Sequence, residues 1–252
     1  MTNLAIKTAL ITGGGSGVGA VMARMLADAG VKVAVSGRRV DMLAEVAKHP
    51  NITAIRADVT DEASVRAMYE AMCDVIGGPD LVVANAGMAE SAPFGKTSVD
   101  LWRRTIDVNL TGTFLTFREG LNVMDKTKPG RLISIASTAG LKGYAYVTAY
   151  CAAKHAVIGL IQSLANELAS TPITVNAVCP GFMETPMLEQ SVTNIVSKTG
   201  MSPDAARQSL AKINPQGRFI APEEVAQTVM WLCSPQAGSI TGQAISVSGG
   251  EV

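Results

Sequence analysis

Short runs dense in Val, Ile, Leu and Ala alternate along this chain with longer stretches in which apolar residues return every three or four positions. Lys7–Thr12, Val31–Ser36, Ile52–Ala57, Leu81–Ala84, Arg131–Ala136, Ile173–Val178 and Gln243–Val247 read as strands. Helical patterns fill Val18–Gly30, Val40–Lys48, Asp61–Val75, Val99–Met124, Val147–Ala169 and Pro222–Leu232. Gly30 closes the first helix, and Gly77-Gly78-Pro79-Asp80 breaks the third before the next strand. Strands such as Leu81-Val82-Val83-Ala84 are apolar throughout, as strands buried on both faces are. The alternation predicts right-handed crossovers and a doubly wound parallel sheet of about seven strands, an α/β fold with helices on both faces. No linker or repeat interrupts residues 1–252, which read as one domain. The exception is Met183 to Pro215, about thirty residues between a strand and a helix, as substrate lids and binding loops often are.

Composition narrows the classes of function. Lysine plus arginine equal aspartate plus glutamate at 21 each, so no basic surplus points to nucleic acid. Hydrophobic residues make up 48% of the chain, yet no apolar run approaches the ~20 residues of a membrane span. The start, Met1-Thr2-Asn3-Leu4-Ala5-Ile6-Lys7, has no signal-peptide pattern, and the expectation is a soluble cytoplasmic protein. Cys73, Cys151, Cys179 and Cys233 lie far apart, and neither His49 nor His155 has a partner ligand in sequence, so no metal site is expected. Cys151 adjoins Tyr150 but leaves the helix about 100° away, as a small packing residue would.

Chemistry enters at the strand ends, where open parallel sheets bind their ligands. After the first strand comes Thr12-Gly13-Gly14-Gly15-Ser16-Gly17-Val18-Gly19. Gly13, Gly17 and Gly19 suit a tight turn, close phosphate approach and helix-on-strand packing, with Ser16 and Val18 beside the pyrophosphate. No lysine follows Gly19, which excludes a Walker loop, and Gly14-Gly15-Ser16-Gly17-Val18 lacks the closing glycine of a hydrolase elbow. At the end of the second strand, Arg38 and Arg39 stand where an acid would select NAD. Two guanidinium groups favour a 2′-phosphate and thus NADP(H). NAD(H) remains possible if the arginines are merely solvated. Asp58 and Val59 can cover adenine, and Asn85-Ala86-Gly87 make a small-residue turn beside the cofactor.

Tyr150 and Lys154 stand one helical turn apart, and Ser137 precedes the tyrosine by thirteen positions. A phenol titrating near pH ~10 becomes a useful acid or base only if its anion is stabilised, which the lysine ammonium can do. Tyr144 and Tyr146 have no lysine four residues on and fit the substrate side better.

Together Thr12-Gly13-x-x-x-Gly17-x-Gly19, Asn85-Ala86-Gly87, Asn109, Ser137, Tyr150-x-x-x-Lys154 and Pro180-Gly181 resemble the short-chain dehydrogenases/reductases over nearly the whole chain. The resemblance implies a Rossmann-like fold and an enzyme moving hydride between NAD(P) and a carbonyl or secondary alcohol. It implies that Tyr150 exchanges the proton, that Lys154 favours the phenolate and holds the nicotinamide ribose, and that Ser137 bonds the substrate oxygen. Asn109 would hold a water linking Lys154 to solvent, and Pro180, Gly181 and Thr185 would position the nicotinamide. A homotetramer or homodimer is implied as well.

The substrate is less legible. Met183, Met187, Leu188 and Ile195, with Leu141, Tyr144 and Tyr146, offer an adaptable apolar wall. The stretch Val175–Phe182 resembles 3-oxoacyl-thioester and polyketide reductases, making a CoA-type 3-oxoacyl thioester or a related ketone the leading class. Lys126, Lys128 and Arg131 either meet a phosphate-bearing substrate or form an exposed loop. Two alternatives stand beside this reading. One is an NAD-dependent catabolic secondary-alcohol or hydroxyacyl-CoA dehydrogenase. The other is a non-catalytic dinucleotide sensor, which would be expected to lose the tyrosine or lysine.

Overall fold

Seven parallel strands form one sheet: β1 Thr8–Thr12, β2 Lys32–Gly37, β3 Ile52–Arg56, β4 Leu81–Ala84, β5 Gly130–Ile135, β6 Ile173–Pro180 and β7 Ala244–Val247, in the order β3-β2-β1-β4-β5-β6-β7. The structure is a computed structural model describing residues 4–252. Met1–Asn3, part of the stretch read above for a leader, lie outside the described residues.

Alternate side chains of each strand feed opposite layers, as the two-residue period requires. Ile11, Val33, Val83 and Ile133 pack toward α1 (Gly17–Asp28), α2 (Val40–Val46) and the later helix Pro222–Leu232. Leu10, Ala34, Val82, Leu132 and Val175 face α3 (Glu62–Ile76) and the long helices that follow β4 and β5. Full burial of each such aliphatic side chain contributes about 1.5–3 kcal/mol, so both layers are strongly held. The chain winds outward from β1 to β3 and returns to β4 on the other side of β1. The carboxyl ends of β1 and β4 therefore flank the crevice where such sheets take a ligand.

The expected single helix over Val99–Met124 is interrupted. It consists of α4 (Val99–Ile106), a π-helical turn (Asp107–Thr111) and α5 (Gly112–Val123). Apolar periodicity does not report an inserted residue, and Asn109 lies buried in that turn. After β5, a short 3-10 turn (Thr138–Gly140) leads to α6 (Thr148–Glu167). The stretch expected as a lid contains two helices, α7 (Pro186–Thr199) and α8 (Pro203–Ala211), before α9 (Pro222–Leu232). Gly200 ends α7 in the left-handed region, and the Ser202 hydroxyl caps α8. Leu188, Val192, Ala206 and Leu210 give this hairpin a small core of its own.

Arg131 corrects an expectation. It is neither in an exposed loop nor near a substrate, being 2% exposed at the amino end of β5, opposite the crevice. Its guanidinium donates to the carbonyls of Leu232, Gly130 and Ser234, closing the end of α9. Lys128 is likewise occupied, 2.8 Å from Asp125.

Candidate active site

A cleft of about 360 Å³ opens over the carboxyl ends of the strands. Its first wall is the turn after β1. Gly13 sits at φ +65°, and a Cβ there would come 2.9 Å from the Ala86 Cα, so both conformation and space demand glycine. A Cβ on Gly19 would lie 2.6 Å from the Gly13 carbonyl oxygen, which brings α1 close against the turn. Thr12 Oγ1 accepts from the backbone N–H groups of Asn85 and Ala86 at 3.1 and 3.2 Å. The Asn85 amide donates back to the carbonyls of Thr12 and Gly13, at 2.9 and 3.2 Å. The turn is thus tied to β4. The Ser16 hydroxyl leaves the start of α1 uncapped, and no acid occupies the first turn. Free N–H groups there suit an anion.

The far wall is basic. Arg39 donates to Ser16 Oγ at 3.0 Å, and the largely exposed Arg38 stands 3.9 Å from Asp58 Oδ2. Burial alone would raise the Asp58 pKa, but bonds from Thr60 and the charges of Arg38 and Arg56 hold it below the usual value. Val59 joins Asp58 on the lining.

The other end of the cleft is built by β5 and α6. Lys154 is 3% exposed, donates to the Ile135 carbonyl at 2.9 Å, and lies 5.6 Å from the Tyr150 ring centre. Burial lowers its pKa to about 8. Burial also pushes the Tyr150 phenol up to about 12, while the Ser137 hydroxyl facing it pulls the other way. Ser137 Oγ accepts from the Ala139 N–H at 3.0 Å, which fixes the serine at the mouth of the 3-10 turn. A Cβ on Gly87 would meet Asn109 Oδ1 at 3.0 Å and Lys154 Nζ at 3.9 Å, so these two groups flank the Asn85–Gly87 turn. The Asn109 side chain is spent on backbone: it donates to the Met88 and Thr105 carbonyls and accepts from the Met88 N–H.

Gly13, Ser16, Gly17, Val18, Arg38, Arg39, Asp58, Val59, Asn85, Ala86, Gly87, Tyr150, Lys154, Met183, Thr185 and Met187 all line this one cleft. Thr185 stands at the start of α7 directly over Gly17 and so brings the stretch expected as a lid against the glycine turn. Gly19, Asn109, Ser137, Tyr144, Pro180 and Gly181 stand behind or beside the lining, with Pro180 ending β6 and Gly181 bonded to the Val247 carbonyl. Met42, Leu43 and Val108 also line the cleft and carry no motif that would have singled them out. Glu251 was equally invisible in sequence, yet its carboxylate reaches Tyr144 and Lys142. Cys179, read only as a cysteine without partners, lies beneath the Ser137 backbone, and burial raises its thiol to about 11. Among the described residues, no group of three or more His, Cys, Asp or Glu gathers as a metal site would require.

The family model for short chain dehydrogenase matches residues 7–196. A protein assigned as ketoacyl reductase 1 of the granaticin polyketide synthase of Streptomyces violaceoruber is 38% identical over 249 residues, covering 96% of this chain and 92% of the relative. D-beta-hydroxybutyrate dehydrogenase of Rhizobium meliloti is 35% identical over 252 residues, covering 97% and 98%. Among solved structures, a single-substitution variant of actinorhodin polyketide ketoreductase with NADPH superposes with a TM-score of 0.94 at 34% identity, covering 100% of this chain and 99% of that one. With the glycine turn, the buried Lys154 and the Tyr150 phenol gathered in one cleft, the chain belongs to the short-chain dehydrogenase family of NAD(P)-dependent oxidoreductases.

Proposed function

We propose that the protein reduces a ketone with NADP(H), its leading substrate class being a CoA-type 3-oxoacyl thioester or a related ketone. The observation that carries this reading is the arrangement along one cleft, with Arg38 and Arg39 at one end and Tyr150 and Lys154 at the other. The close backbone packing at Gly13 and Gly19 leaves the cradle a pyrophosphate needs, and the two arginines supply the charge a 2′-phosphate would meet. Gly13, Ser16, Gly17, Val18, Asp58, Val59, Asn85, Ala86 and Gly87 would hold the nucleotide, with Gly19 packing behind them. Pro180, Gly181 and Thr185 would bound the nicotinamide end. When bound, the dinucleotide supplies the hydride.

The remaining roles belong to the protein. Tyr150 gives its phenolic proton to the carbonyl oxygen as negative charge develops there. Ser137 donates to the same oxygen. Lys154 places a positive charge one helical turn from the phenol and eases its deprotonation. The Asn109 amide is committed to Met88 and Thr105 and its backbone carbonyl accepts from Thr113 Oγ1, so a water linking Lys154 to solvent there would share one of these occupied groups. Tyr144, Met183 and Met187 wall the ketone, and α7 and α8 cover it as a lid over residues 183–215.

Four free cysteines fit a reducing cytoplasm, and no helix among the described residues is long and apolar enough to cross a membrane. The exposed Trp102 and Phe114 of α4 and α5, and Trp231 of α9, support assembly as a homotetramer or homodimer. A second reading, oxidation of a hydroxy acid or hydroxyacyl-CoA with NAD, is favoured by the likeness to the hydroxybutyrate dehydrogenase. Nicotinamide absorbance with NADPH and NADH, each against acetoacetyl-CoA, simple ketones and cyclic ketones, separates the two. Preference for NADPH with the thioester is expected; activity only with alcohols and NAD would replace the first reading by the second.

A further inference from the structure

One buried polar cluster beside the cleft has no part in the chemistry proposed above. The Glu251 side chain is 1% exposed, and its Oε1 accepts from the Lys142 ammonium at 2.9 Å and from the Tyr144 hydroxyl. An ionised carboxylate only accepts, so Tyr144 spends its proton there, and the 2.6 Å bond between Tyr144 and Thr138 must run from the threonine. The resulting chain is directional, from Thr138 to Tyr144 to Glu251. Lys142 also lies 5.1 Å over the Tyr144 ring. That ring stands edge-on to Phe182 at the root of the lid, with 6.3 Å between centroids and an interplanar angle of 87°.

Placement gives the cluster its meaning. Thr138, Lys142 and Tyr144 all lie on the segment that starts at Ser137 and ends at Tyr150, whereas Glu251 follows β7. Burying a carboxylate is costly unless it is well paired, and here Oε2 is buried without a partner, against the backbone of Gly181. Both protein partners converge on Oε1 alone, which points the carboxylate at the segment between β5 and α6.

We propose that Glu251 is a positioning residue that, through Tyr144, holds the Ser137–Tyr150 segment against Phe182 and so fixes how a ketone sits between Ser137 and the lid. It rests on the ketone-reduction reading. Without the carboxylate, the Tyr144 hydroxyl loses its acceptor, the ring can leave the Phe182 edge, and the segment bearing Ser137 loosens. The glycine turn and the two arginines, on β1, β2 and their loops, are untouched, and Gly181 keeps its bond to the Val247 carbonyl.

The test compares wild type, Glu251→Gln, Glu251→Ala, Tyr144→Phe and the Glu251→Ala/Tyr144→Phe double variant, using whichever ketone of the panel wild type turns over fastest. Loss of a charge-assisted hydrogen bond in Glu251→Ala should raise the ketone KM about tenfold with a smaller change in kcat. NADPH affinity, read by fluorescence, should stay at the wild-type value. Glu251→Gln, whose amide oxygen still accepts from Tyr144, should recover most of the loss. The double variant should be no worse than the poorer single one, since both break the same link. Hydrogen exchange at the amides of Ala139, Gly140 and Leu141 should quicken in Glu251→Ala. Unchanged KM and exchange, effects that multiply in the double variant, or parallel loss of NADPH affinity would each overturn the proposal. If wild type turned over no ketone, the reading of function would fail, while the exchange rates would still decide whether Glu251 holds the segment.

Discussion

Lys154 reaches across from α6 to bond the carbonyl of Ile135, the last residue of β5, at 2.9 Å. The cation is thereby fixed between sheet and helix, away from water, and burial brings its pKa down to about 8. The Tyr150 phenol, pushed by burial to about 12, stays protonated well past that point. Reduction needs a protonated phenol and a charged ammonium, so the second condition fails first as pH rises. We expect kcat/KM for ketone reduction to be level below about pH 8 and to fall about tenfold per unit beyond it. Alcohol oxidation, which needs the phenolate beside a charged ammonium, should rise up to about pH 8 and level off beyond it. A reduction rate climbing between about pH 7 and about pH 9 in stopped assays would contradict this assignment.

Tyr150→Phe removes only the hydroxyl and keeps the ring that packs at the start of α6. Turnover should fall at least about 10³-fold while NADPH affinity changes less than about twofold. Wild-type-like turnover would transfer the acid–base role elsewhere.

Arg38 and Arg39 line the cleft beyond the end of β2, away from Tyr150 and Lys154 on α6. A charged hydrogen bond contributes about 1.5–3 kcal/mol, so replacing both by alanine should lower the preference for NADPH over NADH about 10- to 100-fold. kcat with saturating cofactor should change little. Competition between the two cofactors at fixed ketone concentration measures the ratio directly.

Arg131 concerns stability alone. Methionine can fill its volume but cannot satisfy the carbonyls of Leu232, Gly130 and Ser234. Arg131→Met should lower unfolding stability by about 2–4 kcal/mol through those stranded acceptors. Denaturant unfolding gives the difference, and the variant that remains folded should keep its wild-type KM.

Sequence carried most of this architecture because burial on both faces leaves an unmistakable trace, as in Leu81–Ala84, and because Gly13 and Tyr150 sit at strand and helix ends where the pattern changes. What escaped has no such trace. The π turn at Asp107–Thr111 keeps its apolar spacing, so the break from a plain helix is silent. The stretch from Met183 to Pro215 reads as a lid or binding loop, although Gly200 ends one helix within it and Pro203 begins the next. Arg131 carries a surface residue's charge, and only the arrival of α9, about a hundred positions later, explains its burial. Glu251 reaches Tyr144 only because β7 returns beside β6.

The π turn also bears on how this protein can change in length. Each helical residue advances the direction of its side chain by about 100°, and the wide turn absorbs one residue more than a plain helix would. Losing that one residue and closing Asp107–Thr111 to a plain helix would leave α5 in phase with the sheet, with buried Leu115 and Phe117 in their places. The helix can therefore shed one residue at this turn, and with it the bulge around Asn109, while the segments on either side keep their faces to the core.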